Sequence, residues 1–264
     1  MNQVGVIGAG VMGEALIAAL ISYGTAPGSI TISEKRKDRA DELRTRYGIK
    51  VEDVATNVSK ADALLLVVKP QDMAAVLDEI KGSINKSAVV ITFAAGKKIS
   101  FIEQGLGTGN PVVRVMPNTP TLVGAGMAAI SLGAGVSADQ SKFVSGFLAA
   151  TGKVIEVSED LQDAVTATSG SGPAYFFRFV EAMVDGAKAL GLSDADATTL
   201  TVQTIVGAAK LLDESGKSAT TLRENVTSPN GTTAAALASF ESHQLGDVVA
   251  QGMKAARDRS QELA

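Results

Sequence analysis

Val4-Gly5-Val6-Ile7-Gly8-Ala9-Gly10-Val11-Met12-Gly13 is the stretch that decides the fold class of this chain. Val4 to Ile7 is a short run rich in β-branched residues, and an amphipathic pattern from Glu14 to Ser22 follows the last glycine. Strand, G-x-G-x-x-G and helix, in that order, form the context in which glycines admit a close backbone approach to a pyrophosphate. Ile7, Gly8, Gly10, Val11, Met12 and Gly13 are therefore the first candidate cofactor residues.

The alternation of strand and helix patterns continues from there. A second strand, Ile30 to Ser33, ends at Glu34-Lys35-Arg36-Lys37, about twenty residues past the last glycine, where such folds distinguish NAD from NADP. Glu34 suits ribose hydroxyls, whereas Lys35 and Arg36 suit a 2′-phosphate, the arginine through its planar fork. Three cations against one acid favour NADPH, with NADH as the alternative. Ala63 to Val68 is an all-apolar strand of the kind buried on both faces of a parallel sheet, and it ends at Lys69-Pro70. Ala88 to Phe93 ends at Ala94-Ala95-Gly96, and Val112 to Met116 ends at Pro117-Asn118-Thr119-Pro120. Ligands of open parallel sheets sit beyond the carboxyl ends of the strands, which puts Val68, Lys69, Pro70, Ala94, Ala95, Gly96 and Asn118 on the functional edge. Lys69 reads equally well as a site lysine and as a strand-end lysine reaching for water. The small residues Ala94 to Gly96 leave room for a flat ring against the backbone. Met127 to Ser131 and Val154 to Val157 read as closing strands, with a helix from Ser137 to Ala150 between them.

Near Glu159 the pattern changes to helical periodicity alone, broken by Gly, Asp and Pro. The expected organisation is an α/β chain: a Rossmann-type parallel sheet over residues 1–158, then an all-helical domain over 159–264. Tyr175 to Leu190 and Asp194 to Leu212 are apolar on much of their circumference, more than one small domain covers. A second copy of the chain is the expected cover. No linker-like run divides the halves, so a shared cleft is the expected place for the site. Within the helical half, Val226-Thr-Ser-Pro-Asn-Gly-Thr-Thr233 is a turn feeding a helix N-terminus, because Pro229 cannot lie inside the helix and Asn-Gly tolerates positive φ. Unpaired N–H groups and flanking hydroxyls make that start either an ordinary capped end or a carboxylate or phosphate site.

Composition removes several other classes. The 264 residues are 45% hydrophobic with a net charge of −4, which describes a globular chain and argues against nucleic acid as the main partner. With no Cys, thiol nucleophiles and Cys-ligated zinc are excluded, and the single histidine, His243, rules out poly-His metal sites. The longest apolar run is far too short to span a bilayer. Met1 leads directly into a strand-like run, so a cytoplasmic protein is expected.

Several of these segments together resemble pyrroline-5-carboxylate reductases. They are Leu222-Arg-Glu-Asn-Val-Thr-Ser-Pro-Asn-Gly-Thr-Thr-Ala-Ala-Ala-Leu237, Val68-Lys69-Pro70, Ala94-Ala95-Gly96, Met116-Pro117-Asn118-Thr119-Pro120, Asp163-Ala164-Val165-Thr166 and Ser169-Gly170-Ser171-Gly172-Pro173-Ala174-Tyr175. They follow one another in the family's order along nearly the whole chain. The resemblance implies NADPH-dependent, less often NADH-dependent, reduction of 1-pyrroline-5-carboxylate to L-proline. It also implies a helical dimerisation domain interleaved with a partner's, often within larger rings such as a decamer. By the same resemblance Thr233 hydrogen-bonds the ring nitrogen and Ser228, Gly231, Thr232 and Thr233 present donors to the substrate carboxylate, with Glu159 and Asn225 nearby. Asn57 matches the position at the adenosine end of the cofactor, and Arg36 aligns where the family often has a Ser at the 2′-phosphate. Asn230 replaces a more common Gly. Imine reduction suits this inventory, since it needs a hydride, a carboxylate anchor and a proton on nitrogen. A hydroxyacid dehydrogenase of similar design would need a basic lysine where Tyr175-Phe176-Phe177 stands. A nucleotide sensor without turnover would have no use for the hydroxyl-lined turn.

Overall fold

A computed structural model describes residues 1–263, which fall into two compact units. The first comprises Met1–Ser171 together with the stretch from Ala256 onward, and the second Gly172–Ala255.

The first unit is an eight-stranded sheet in the order β3-β2-β1-β4-β5-β6-β7-β8. Its strands are β1 (Val4–Ile7), β2 (Ile30–Ser33), β3 (Lys50–Val51), β4 (Ala63–Leu66), β5 (Val89–Thr92), β6 (Val112–Met116), β7 (Gly126–Leu132) and β8 (Gly152–Glu156). The helices α1 (Val11–Ser22), α2 (Lys37–Tyr47), α3 (Val54–Lys60), α4 (Met73–Ile80), α5 (Ile99–Leu106) and α6 (Ala138–Ala149) connect them, and the short α7 (Gln162–Val165) follows β8. Alternate residues of the central strands feed two different cores. Val4, Val6, Ile30, Ile32, Leu65 and Ile91 pack against Leu16, Leu20, Leu43 and Phe147 of α1, α2 and α6. Leu64, Leu66 and Val90 pack on the other face against Val58, Leu77 and Ile102 of α3, α4 and α5. A strand buried on both faces reads as a continuous apolar run, which is how Ala63–Leu66 reads.

The sheet is parallel, as expected, except at one pair of strands. β6 and β7 run antiparallel, with Val115 opposite Ile130, while every other pair is parallel. A parallel return needs a crossover of a dozen or more residues, and the connection over 117–125, a single short 3-10 helix (Thr119–Val123), is too short for one. β3 was not expected; two residues carry no periodicity to read.

The second unit contains no strand among its described residues. It consists of α8 (Gly172–Ala189), α9 (Asp194–Glu214), α10 (Ala219–Asn225), α11 (Thr232–Ser242) and the larger part of α12 (Leu245–Glu262). Its helices and the turn after α8 leave large apolar side chains in water: Phe176 is 63% exposed, Phe177 64% and Leu190 89%. Leu200, Val206, Leu211 and Val248 are more than half exposed as well. So much uncovered apolar surface is far more than an isolated monomer normally carries.

Candidate active site

The order β3-β2-β1-β4 reverses the chain's direction of travel at β1, and the crevice beyond the ends of these strands is where doubly wound sheets bind nucleotides. A cleft of about 680 Å³ lies there. It is walled by Ile7, Gly8 and Gly10 at and beyond the end of β1, Ser33 to Arg36 at and beyond the end of β2, Asp53 after β3, and Val67 to Lys69 after β4.

The three glycines of the loop are required for three different reasons. Gly8 has φ +87°, and a Cβ there would lie 2.7 Å from the Val67 carbonyl oxygen. At Gly13 a Cβ would lie 2.4 Å from the Gly8 carbonyl oxygen, so its absence lets α1 sit tightly on the turn. A Cβ on Gly10 would meet nothing within 4 Å, and Gly10 is the N-cap of α1 with no side chain capping the helix. The first amides of α1 thus face an open cradle with positive dipole character, suited to a pyrophosphate. Val11 is exposed at the helix start, and Met12 packs partly against the core.

Side chains from the end of β2 hold this loop in place. The Glu34 carboxylate accepts the Ala9 N–H at 2.9 Å and the Arg36 N–H at 3.0 Å. Arg39 donates from Nε to the Ala9 carbonyl at 3.2 Å, so the two successive peptides flanking Ala9 in the glycine loop are each held by a side chain. Arg39 and Arg46 both pair with Glu14 of α1, and the Tyr47 hydroxyl donates to the same carboxylate. Burial pushes the Glu14 carboxyl up, but the hydrogen bonds from Arg39, Tyr47 and Arg46 outweigh it and hold Glu14 below its ordinary value. Lys35 and Arg36 remain exposed at the cleft wall; Arg36 Nε lies 3.9 Å from Glu34. Asn57, expected at the adenosine end, is turned inward. It is 1% exposed, and its amide donates to the Ser33 hydroxyl at 3.0 Å.

The next two strand ends carry the remaining candidates. Lys69 is exposed and precedes the single turn begun by Pro70. Ala94 is buried, Ala95 is half-buried, and Gly96 is buried with φ +75°. The space a side chain at Gly96 would need is occupied by the last turn of α12: Ser260 O and Leu263 atoms lie within about 3.0 Å of a Cβ built there. Asn118 is spent internally, donating to the Ser169 carbonyl and accepting the Met127 N–H. Glu159 is engaged too. Its Oε1 accepts the Ile99 N–H of α5 at 2.6 Å and lies 3.3 Å from the buried Arg114.

In the second unit, the turn before α11 has the predicted form. Asn230 takes φ +58°, so the residue that stands for a glycine accepts the left-handed conformation. Gly231 is the N-cap and no side chain caps the helix, as at α1, α2, α4 and α5 and unlike α3, α6, α9 and α10, which Asp53, Ser137, Ser193 and Ser218 cap. The Thr232 and Thr233 amides therefore open onto a surface bearing the Ser228 and Thr232 side chains. Asn225 closes α10 just upstream and is exposed. His243 is exposed at the end of α11, its Nδ1 2.8 Å from the Ser239 carbonyl.

A doubly wound sheet with an open glycine loop above a cleft of this size, followed by a helical unit with uncovered apolar faces, defines a nicotinamide-nucleotide oxidoreductase of two-domain design. Two family models match, one described as pyrroline-5-carboxylate reductase dimerisation over residues 159–263 and one as NADP oxidoreductase, coenzyme F420-dependent, over residues 3–96. The chain is 43% identical to a pyrroline-5-carboxylate reductase of Corynebacterium melassecola, covering 100% of this chain and 99% of that protein. A solved pyrroline-5-carboxylate reductase from Coxiella burnetii is 36% identical, with a TM-score of 0.92 over 100% of this chain and 98% of that one. The Plasmodium falciparum pyrroline carboxylate reductase, solved with NADP bound, is 28% identical with a TM-score of 0.89, covering 99% and 98%. This chain belongs to the pyrroline-5-carboxylate reductase family.

Sequence reading passed over Arg39, Arg114 and Ser260. Arg114 alone carried a signal: a lone charge in the middle of the apolar strand Val112–Met116 must find partners inside the protein.

Proposed function

We propose that this chain reduces the ring imine of 1-pyrroline-5-carboxylate to L-proline with NADPH. The observation that carries the reading is the start of α11, left uncapped at Gly231 beside Ser228, Thr232 and Thr233. An anion-binding helix start is what a small carboxylate substrate needs, and the open cradle at Gly10 is what its reductant needs. The residues present fit a dinucleotide: Gly8, Gly10 and the α1 amides would hold the pyrophosphate, and Lys35 and Arg36 a 2′-phosphate. Val68, Lys69 and the Ala94–Gly96 turn would flank the nicotinamide. NADPH, when bound, supplies a hydride.

The protein's own contribution is mostly placement. The Thr232 and Thr233 amides and the Ser228 hydroxyl grip the carboxylate, with Gly231 allowing close approach and Asn225 alongside. The Thr233 hydroxyl orients the ring nitrogen and relays its proton. If the substrate arrives as the iminium, its positive charge already activates the carbon, so no strongly acidic side chain is needed. Lys69 supplies positive charge at the cofactor edge.

In this scheme residues 1–158 are the cofactor half and 159–264 the substrate and dimerisation half, a division supported by the limits of the matched dimerisation model, while the stretch up to Ser171 and that from Ala256 onward pack within the sheet unit. The exposed apolar faces of α8 and α9 support a homodimer through the helical half, the building block of a larger ring such as a decamer. Among the described residues no helix is long and apolar enough to cross a membrane, in keeping with a biosynthetic role in the cytoplasm. The test is direct: purified protein mixed with 1-pyrroline-5-carboxylate and NADPH should consume NADPH and release L-proline in equal amounts. Absence of turnover, or turnover of a 2-hydroxy acid instead, overturns the assignment.

A further inference from the structure

The last turn of α12 belongs to the first unit, and its contacts form a closed circuit around the Ala94–Gly96 turn. Ser260 is buried, and its hydroxyl donates to Asp163 Oδ1 at 2.7 Å. The same carboxylate oxygen lies 3.6 Å from Nη2 of the buried Arg114, and Arg114 Nη1 lies 3.3 Å from Glu159 Oε1. Glu159 in turn accepts the first N–H of α5, at Ile99. Three residues earlier along the chain is Gly96, whose missing side chain leaves the room that Ser260 O and Leu263 take. The circuit therefore begins and ends on one loop: from Gly96 to α5, through Glu159, Arg114 and Asp163, to Ser260 and back to Gly96.

We infer that the Ser260–Asp163–Arg114–Glu159 network is a latch by which the end of α12 sets the conformation of the Ala94–Gly96 turn, making Ser260 and Asp163 positioning residues for hydride transfer. Two features separate this from generic packing. A guanidinium buried on a sheet strand is held by two carboxylates from the segment after β8, a costly arrangement that fixes geometry more than it adds stability. And Gly96 adopts a left-handed φ with the α12 turn pressed against it, so the loop's shape and the helix's docking depend on one another. Glu159 acts here through the α5 amide. The inference rests on the proposed reaction only in placing nicotinamide at the Ala94–Gly96 turn; the latch itself is a property of the apoprotein.

The test uses the full chain with Ser260→Ala, Ser260→Thr and Asp163→Asn. Hydrogen exchange of peptides spanning residues 94–102 should quicken at least fivefold in Ser260→Ala and Asp163→Asn, with peptides over the glycine loop and over 226–240 unchanged. With 1-pyrroline-5-carboxylate and NADPH, kcat should fall three- to tenfold in both variants while the Kd for NADPH stays within twofold, and Ser260→Thr should restore both readouts. Unchanged exchange at 94–102, or exchange that quickens everywhere at once, overturns the latch. A kcat equal to wild type in a variant whose 94–102 exchange has quickened overturns the positioning role of Ser260 and Asp163 in hydride transfer. No turnover of 1-pyrroline-5-carboxylate by the wild-type protein, together with the local exchange response in the two variants, overturns the functional assignment and leaves the latch standing.

Discussion

Alanine at Gly10 and at Gly13 should have separable effects, because the two missing side chains face different things. At Gly13 a Cβ would sit 2.4 Å from the Gly8 carbonyl oxygen, closer than such atoms approach, so backbone must move. Overpacking of this kind costs about 1–3 kcal/mol, and the gain in helix propensity returns about 1 kcal/mol. The net loss, up to about 2 kcal/mol, lowers Tm by up to several degrees in a protein of this length. At Gly10 a Cβ points into open space, and the backbone, at φ −65° and ψ −161°, suits alanine. The poorer N-cap costs about 0.5–1 kcal/mol, and the lost freedom of the unfolded chain offsets it by about 0.4–1 kcal/mol. Stability should hardly change. The methyl group instead occupies the cradle over the first amides of α1. Losing one charge-assisted hydrogen bond to a phosphate, about 1.5–3 kcal/mol, weakens NADPH binding roughly 10- to 150-fold. Thermal melts of the apoprotein and titration with NADPH followed by fluorescence measure the two effects separately. A Gly10→Ala protein that melts as low as Gly13→Ala, or binds NADPH as tightly as wild type, would refute the reasoning.

Other substitutions probe the remaining parts. Thr233→Ala should reduce kcat at least tenfold with the Kd for NADPH unchanged, as measured by steady-state kinetics and binding; equal turnover removes the proton-relay role. Arg36→Glu should weaken NADPH at least tenfold more than NADH, and equal weakening of the two in kcat/KM would show that Arg36 does not touch the 2′-phosphate. Phe177→Glu places a charge in an exposed apolar face of α8 and should shift the protein to monomer in light scattering. Glu14 is held below its ordinary value of 4.5, so its contribution to stability is complete above that pH and is lost as pH falls through the lowered value. Glu14→Gln should accordingly lower Tm at pH 7 and flatten the loss of Tm on acidification below pH 4.5, a comparison made by melts in a pH series.

Much of this architecture is written in local pattern. Ala63–Leu66 and Val89–Thr92 are apolar throughout because both faces are covered, and Pro229-Asn230-Gly231 announces a turn by its backbone requirements alone. What local pattern does not contain is pairing between remote side chains. Glu34 was legible as an acid at the end of β2, but not as the acceptor for Ala9, because that depends on how β1 and β2 lie in register. The direction of β7 depends on loop length and not on composition. Gly96 reads as a small residue near a ring, and only the docked turn of α12 supplies a second reason for its size. Nor does local pattern show that Asn57 turns inward, its nitrogen taken by Ser33.

The first unit is assembled from two separated stretches, Met1–Ser171 and the segment from Ala256 onward. On the ribosome the sheet therefore emerges well before the turn that docks at Gly96, and the whole of Gly172–Ala255 must be translated in between. At about 5–20 residues per second that delay lasts several seconds, on the order of 4–17 s. During it Arg114 and Asp163 stand without Ser260, so a nascent chain can hold a nearly finished nucleotide fold whose reactive edge is still unset.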